Sequence, residues 1–558
     1  MKKSLLFMLF ALVQMTFAEQ LVDGKYVNFE DFVRNNNKHV VNVDGNEYGP
    51  CRTIDDYKVG CVNGTNSSRR YFSNAVMQAA FERARELDAI GVYLPRGVWN
   101  FNEQIVVPHG MTLKGNYDRP HHVTESDLHV TGGSVDWGET KGTNIACYGG
   151  WGYSPYTQKP NDLTVDPMAC IALKGSATLD GVNVYYPQQN RPSPNASFKP
   201  VAYPWTISCQ AGVGSLDYLA RCAVMNTTLV NSYAGIDLNF GVDHYIKGVN
   251  MTAFKVGIRV DNVASQGSIE DVNMHAQFSA YYYGIGEFIG GEPVSTAAFN
   301  RVQSYLLDNM TGLDFGWVDC GWLKNVFIFK AHRGFYFRRG AQGYNRLDTA
   351  GYFRAAASLD IENSGCDNCT DALYIEEVNS GVGVNFANTV LSGRIYASDN
   401  NHGTIRITNS YLEFNAGGYG KQSIGNNNYY LRNHVEIGKA TTVHISNTEI
   451  FEFMGDVPNG HWRGATFDVK GNLLLSNSSI VWPGNGSGFD ASAKQFMVRT
   501  GSAVALNNNL IRGVDSFRLG VPPGDIPRAF TESNTIYDPI EFEYHPKVPM
   551  FGGYAEIR

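Results

Sequence analysis

The chain has 558 residues, 43% of them hydrophobic and 18% charged, with 59 glycines and a net charge of -8. That composition excludes intrinsic disorder and supplies a large buried core. With 53 acidic against 45 basic side chains there is no broad basic field for phosphates, so no nucleic acid partner is expected.

At the N-terminus Lys2 and Lys3 precede the apolar run 5–13, and Thr16-Phe17-Ala18 offers small residues at a cleavage position. Residues 1–18 therefore read as a signal peptide. The run is shorter than the ~20 residues that span a bilayer and no later one is longer, so no membrane span is expected. The expected location is secreted and extracellular, or periplasmic in a bacterium. Nine cysteines then meet an oxidising setting, and spacing suggests the pairs Cys51 with Cys61, Cys147 with Cys170, Cys209 with Cys222 and Cys366 with Cys369, leaving Cys320 over. Cys366-Asp367-Asn368-Cys369 reads equally as a strained redox pair.

Residues 19–70 carry Gly, Asn and Asp clusters without periodicity and read as a loop-rich lead-in. From Ser73, Val76, Ala80, Ala84 and Leu87 recur at helical spacing until Gly91, which predicts a helix over 73–87. Short strand-turn units follow, forming one expected domain over 71–545 with a tail at 546–558, and no second long amphipathic helix is read.

Internal offsets dominate this region. Gly235-Ile236-Asp237-Leu238-Asn239 recurs as Gly257-Ile258-Arg259-Val260-Asp261, Gly312-Leu313-Asp314-Phe315-Gly316, Gly334-Phe335-Tyr336-Phe337-Arg338 and Ala372-Leu373-Tyr374-Ile375-Glu376, with Gly284-Ile285-Gly286-Glu287-Phe288 as a weaker copy. Ile361-Glu362-Asn363-Ser364 is echoed by Ile407-Thr408-Asn409-Ser410, Ile445-Ser446-Asn447-Thr448, Leu475-Ser476-Asn477-Ser478 and Leu506-Asn507-Asn508-Asn509. A step of 22 residues, as from Ile236 to Ile258, with short alternating strands and Asn at the corners is what an all-β parallel solenoid requires. Asn tolerates the left-handed conformation of a tight corner, and its amide can bond its copy one rung away.

The predicted helix, then Gly91-Val92-Tyr93-Leu94-Pro95-Arg96-Gly97-Val98-Trp99, Ile105-Val106-Val107-Pro108 and Met111-Thr112-Leu113-Lys114-Gly115, resembles the entry into pectate-lyase-like right-handed parallel β-helices. The resemblance implies a right-handed single-stranded parallel β-helix with an N-terminal capping α-helix, and extracellular work on carbohydrate by hydrolase, lyase or epimerase chemistry. The Asn-Thr-Asp, Gly-His-Gly and Arg-Ile-Lys set of polygalacturonases and the Asp-Pro-His-Asp of alginate epimerases are missing, so the branch stays open.

Within each aligned rung, alternation places Ile236, Leu238, Ile258, Val260, Leu313, Phe315, Phe335, Phe337, Leu373 and Ile375 inside. The intervening residues should face solvent as two columns: Asp237, Arg259, Gly286, Asp314, Tyr336, Tyr374, and Asn239, Asp261, Phe288, Gly316, Arg338, Glu376. Such a face suits a linear polysaccharide. Asp237 and Asp261 would lie on a diagonal of ~8 Å, inside the ~6.5–9.5 Å window of an inverting glycosidase. Asp237, Asp261 and Asp314 are therefore the candidate catalytic carboxylates, with Asn239, Arg259, Tyr336, Arg338, Tyr374 and Glu376 as substrate-binding residues. A surface ion-pair ladder is the structural alternative.

The preferred function is hydrolysis of glycosidic bonds in an extracellular polysaccharide, with an anionic one among the expected substrates. The second reading is β-elimination on a uronic acid polymer, for which Lys330, His332, Arg333, Arg338, Arg339 and Arg346 concentrate positive charge. The third is a non-catalytic, adhesive solenoid. Asp243-His244 with Lys247, and His275, are weaker base candidates. His121, His122, Glu125, Asp127 and His129 fit no metal pattern, so neither metal nor cofactor is assigned, with calcium on surface carboxylates left open. The aromatics of 185–205 are read as loop packing ahead of a groove wall.

Overall fold

The computed structural model describes residues 21–35, 72–116, 142–153, 168–210 and, leaving out several connections, 221–538. The signal segment, Cys51, Cys61, residues 121–129, Arg346 and the tail lie outside the described residues.

The strands stack in parallel register into a β-helix, as the repeats and the resemblance lead one to expect. Each coil passes through three sheets. Sheet I holds strands such as Ala357–Glu362, Val384–Ala387 and Thr404–Thr408, sheet II Gly365–Asp367, Val390–Ser392 and Tyr411–Asn415, and sheet III Thr311–Phe315, Arg333–Phe337, Asp371–Ile375 and Arg394–Ala397. Each pairs with the strand one coil away, as in Leu359↔Val384↔Ile405, Cys366↔Leu391↔Leu412 and Leu313↔Phe335↔Leu373↔Ile395. Ala223–Asn239 and Tyr245–Asp261 run unbroken through all three.

The core is the stack of inward positions. All ten residues predicted to point inward are buried there, and each contributes roughly 1.5–3 kcal/mol by leaving water. The Phe315 and Phe337 rings stack at 5.0 Å.

The corner between sheets I and II explains the asparagines. Asn226, Asp271, Asn325, Asn363, Asn388, Asn409, Asn447, Asn477, Asn508 and Asn534 all have φ between +47° and +55°, a conformation Asn and Asp adopt at lower cost than other side chains. Some bond along the stack: the Asn508 amide donates to Asn477 Oδ1 at 3.3 Å, and the Asn534 amide to Asn508 Oδ1 at 3.1 Å. The next residue continues the ladder, Ser478 Oγ accepting from Thr448 N and Thr448 Oγ1 from Ser410 N.

Four helices accompany the coil among the described residues. Helix α1, Phe29–Asn35, follows the strand Tyr26–Asn28, which pairs with Gly91–Tyr93, so the lead-in is not all loop. Helix α2, Asn74–Glu86, has Ser73 as its N-cap and buries Val76, Met77, Ala80, Phe81 and Ala84 beside the first strands. Helices α3, Gln277–Tyr282, and α4, Thr296–Asn309, sit in a long insertion between sheets II and III. Helix α4 corrects the expectation of no second long amphipathic helix: Ala298, Val302 and Leu306 form its buried stripe at a spacing of four. The insertion also corrects the weaker repeat copy. Arg259 pairs directly with Asp314, so no rung stands between them; Phe288 belongs to neither column, Phe288–Ile289 forming an antiparallel pair with Glu292–Pro293, and Gly286 lies outside the described residues.

Disulfides join Cys147 to Cys170, Cys209 to Cys222 and Cys366 to Cys369, and Cys320 is free. They fit an oxidising compartment. Among the described residues no helix is long and apolar enough to cross a membrane.

Candidate active site on the outer faces of the coil

The two columns on sheet III stand in the expected register, but their upper part does not face solvent. Asp237 is 0% exposed, Asp261 4%, Asp314 6%, Asn239 8% and Arg259 9%. Arginines and covering aromatics remove this part of the face from water. Arg259 donates to both oxygens of Asp237, at 2.7 and 2.8 Å, while its guanidinium carbon lies 4.8 Å from the Trp205 ring centre. Trp205 packs with Ala169, Ala234, Val256 and Tyr233 outside the main core.

One rung further, Arg338 joins two carboxylates. Its Nη1 lies 2.9 Å from Asp261 Oδ2 and its Nε donates to Asp314 Oδ1 at 2.7 Å. Asp261 Oδ1 also accepts from the backbone N of Asn262 and of Trp317, each at 2.9 Å. Gly316 makes this possible, since a Cβ there would stand 2.2 Å from Asp261 Oδ1. Asp237 and Asp261 thus spend both oxygens on internal partners. Burial pushes the Asp314 carboxyl up despite Arg338, and among the described residues its Oδ2 takes no hydrogen bond. Asn239 Oδ1 accepts from the Asn262 amide.

Lower on sheet III the face is half-buried. Tyr336, Tyr374 and Tyr396 occupy successive rungs, with Tyr374 and Tyr396 stacked at 4.7 Å and Tyr336 edge-on to Tyr374 at 5.6 Å. The Tyr336 hydroxyl donates to Glu376 at 2.6 Å, and burial, then this carboxylate, raises the phenol pKa. Arg394 bonds Asp371 at 2.6 and 3.1 Å and reaches Glu436 at 3.3 Å.

Sheet II carries a second arrangement that the sequence reading missed. On its outer side Phe329 pairs with Asp367, Ser392 follows Asp367 by continuing the Cys366↔Leu391 register, and Ser392 pairs with Glu413 and Glu413 with Phe451. Down the stack this reads aromatic, acid, small residue, acid, aromatic. His275 lies flat on Phe329 at 4.5 Å, and Tyr411 flanks Phe451 at 6.5 Å. Helix α4 stands at the neighbouring corner, where Gln303 Oε1 accepts from Lys330 Nζ at 2.7 Å and Leu307 O from Thr370 Oγ1 at 3.0 Å.

Among the described residues neither carboxylate is paired with an arginine. Asp367 Oδ1 accepts from the Asn368 amide at 2.8 Å, and the Glu413 carboxyl makes no hydrogen bond among the described residues. Burial, reinforced by the charge of Asp367, pushes Glu413 up to about 7. Burial also raises Asp367, offset by Asn368 and then Lys330, and lowers Lys330. A signal for this column exists in the sequence: Asp367, Ser392, Glu413 and Phe451 each follow the corner residue Ser364, Thr389, Ser410 or Thr448 by three.

The weaker base candidates fare differently. Burial holds His244 at about 4 with its ring against Gly267, and holds His275, beside Lys330, at about 4. Lys247 pairs with Glu270 at 3.1 Å. In the tract 185–205, Tyr186 and Tyr203 pack together, buried, at 4.3 Å.

No family model matches the chain, and no curated protein matches it. Among solved structures, it is similar to the catalytic domain of a GH87 alpha-1,3-glucanase in complex with nigerose, at 11% identity and a TM-score of 0.37, covering 85% of this chain and 70% of that one. It is also similar to a double mutant of the tailspike protein of E. coli bacteriophage HK620 in complex with pentasaccharide, at 10% identity and a TM-score of 0.39, covering 92% and 80%.

Proposed function

We propose that the protein is a secreted enzyme that cleaves glycosidic bonds in an extracellular polysaccharide by hydrolysis at the outer face of sheet II. In this reading Glu413 donates its proton to the glycosidic oxygen as the bond to the anomeric carbon breaks. Asp367 accepts a proton from the water that attacks that carbon from the opposite side. The observation that carries the proposal is the pair of carboxyls without arginine partners among the described residues, two rungs apart with Ser392 on the rung between them, and bounded by Phe329 and Phe451. Two steps of ~4.8 Å separate their backbones, near the ~6.5–9.5 Å between carboxyls that admits a water in an inverting glycosidase. A carboxyl with a pKa near 7 is suited to act as the acid, and an ionised neighbour as the base. Aromatic rings at both ends offer flat apolar surfaces to sugar rings. In this assignment Asp237, Asp261 and Asp314 tie rungs together and hold Arg259 and Arg338.

The test is a panel of polysaccharides assayed for new reducing ends and for ultraviolet absorbance. Reducing ends without absorbance, lost in Glu413→Gln and Asp367→Asn, support hydrolysis at this site. Full activity in both variants removes them from the mechanism. β-Elimination is the second reading, favoured by Lys330, a half-buried amine of lowered pKa beside Asp367, and it predicts absorbing, unsaturated ends. No product from any member of the panel supports the non-catalytic solenoid.

A further inference from the structure

We propose a second glycan site on sheet III, in which Arg333 receives the carboxylate of an acidic sugar and Tyr374 and Tyr396 carry the adjoining rings. Most arginines described on this face already hold carboxylates: Arg259 has Asp237, Arg338 has Asp261 and Asp314, Arg394 has Asp371 and Glu436, and Arg499 has Asp468. Arg333 has none. Its neighbour in register, Asp371, is taken by Arg394. Its guanidinium carbon lies 4.4 Å from the Tyr336 ring centre and 4.0 Å from that of Tyr374, so two rings hold the side chain. Its side chain makes no hydrogen bond among the described residues, and Nε is buried without a partner.

A buried donor left unpaired is costly. A guanidinium fixed by stacking has spent its rotamer freedom beforehand and presents a fork that matches a carboxylate. The Tyr336 hydroxyl is fixed by Glu376, whose half-exposed carboxylate, like that of Glu436, accepts from sugar hydroxyls. The chain enters these three rungs through the short connections 330–332, 368–370 and Gly393. The corner between sheets II and III separates this site from Asp367 and Glu413. The inference draws on the preceding reading only for the class of ligand, and equilibrium binding tests it separately from turnover.

The experiment uses the full chain carrying Glu413→Gln and measures calorimetric binding of a galacturonic acid hexamer and of the same hexamer with its carboxyls reduced. The acidic hexamer is expected to bind about 10- to 100-fold tighter, the range of one charge-assisted hydrogen bond. Adding Arg333→Met should erase that difference, while Arg333→Lys, which keeps the charge without the fork, should retain part of it. Tyr374→Ala should weaken both ligands. Equal affinity for the two hexamers, or an unchanged preference in folded Arg333→Met and Arg333→Lys, would overturn the proposal.

Discussion

Arg259 grips Asp237 through two hydrogen bonds, Nε to Oδ1 at 2.7 Å and Nη2 to Oδ2 at 2.8 Å, with the Trp205 ring across the guanidinium. The two residues lie one rung apart in register, so the pair fastens neighbouring coils. Removing one member of a buried pair strands the other charge. Asp237→Ala is therefore expected to cost about 3–5 kcal/mol in urea unfolding, whereas replacing both residues by apolar ones costs less. Folded Asp237→Ala should turn over substrate at the parent rate, and loss of turnover without loss of stability would return Asp237 to the chemistry.

The same pair shows how far the sequence could be read. The order of Asp237, Arg259, Asp314, Tyr336 and Tyr374 follows from inward Ile, Leu, Val and Phe at alternate positions, because a parallel stack transmits register rung by rung. Their exposure does not follow from the repeat, because what covers an outer face comes from residues outside it, here Trp205 and Tyr233. Helix α4 is hard to see in the sequence because its apolar stripe lies between strand repeats, where a glycine-rich stretch imitates a rung. Asp367 and Glu413 are legible in the sequence three residues after each corner, but the two sulfurs of Cys366-Asp367-Asn368-Cys369 are its more conspicuous signal and the corner repeat itself ends before them. What no pattern of letters contains is the raised Glu413 carboxyl, which depends on burial in three dimensions.

Glu413 also links function to stability. Its pKa is raised on folding to about 7 from 4.5, so the folded chain binds the extra proton. The favourable contribution is present below about pH 4.5 and is lost as pH rises to about 7. Glu413→Gln removes this dependence. Relative to the parent it should gain on the order of 1–3 kcal/mol at pH 8 and nothing at pH 4. Unfolding titrations at the two pH values decide the matter, and a gain of equal size at both would deny the shifted carboxyl.

The corner ladder predicts a substitution pattern. Asn447 stands at φ +49° with its backbone N bonded to Ser476 O. Asn447→Ala should destabilise by roughly 1–2 kcal/mol, because a Cβ without a compensating amide crowds the following carbonyl. Asn447→Gly, free of that clash, should lie between the two. If Ala were tolerated as well as Asn, the left-handed corner would not be what selects asparagine there.

Lys330 gives the acid–base assignment its sharpest check, since it touches the proposed chemistry only through charge. It lowers the Asp367 pKa, opposing burial, while the charge of Asp367 in turn raises Glu413. In the proposed mechanism the acid limb of the pH–rate profile reports Asp367, which must be ionised, and the alkaline limb Glu413, which must be protonated. Lys330→Met removes the positive charge beside Asp367, so the acid limb should move toward neutrality by about 0.5–1 pH unit while the alkaline limb, near pH 7, stays within about 0.3. Lys330→Arg should restore the parent profile. Should Lys330→Met instead move only the alkaline limb, the proton would be leaving from the lysine side of the site, and the β-elimination reading would replace hydrolysis.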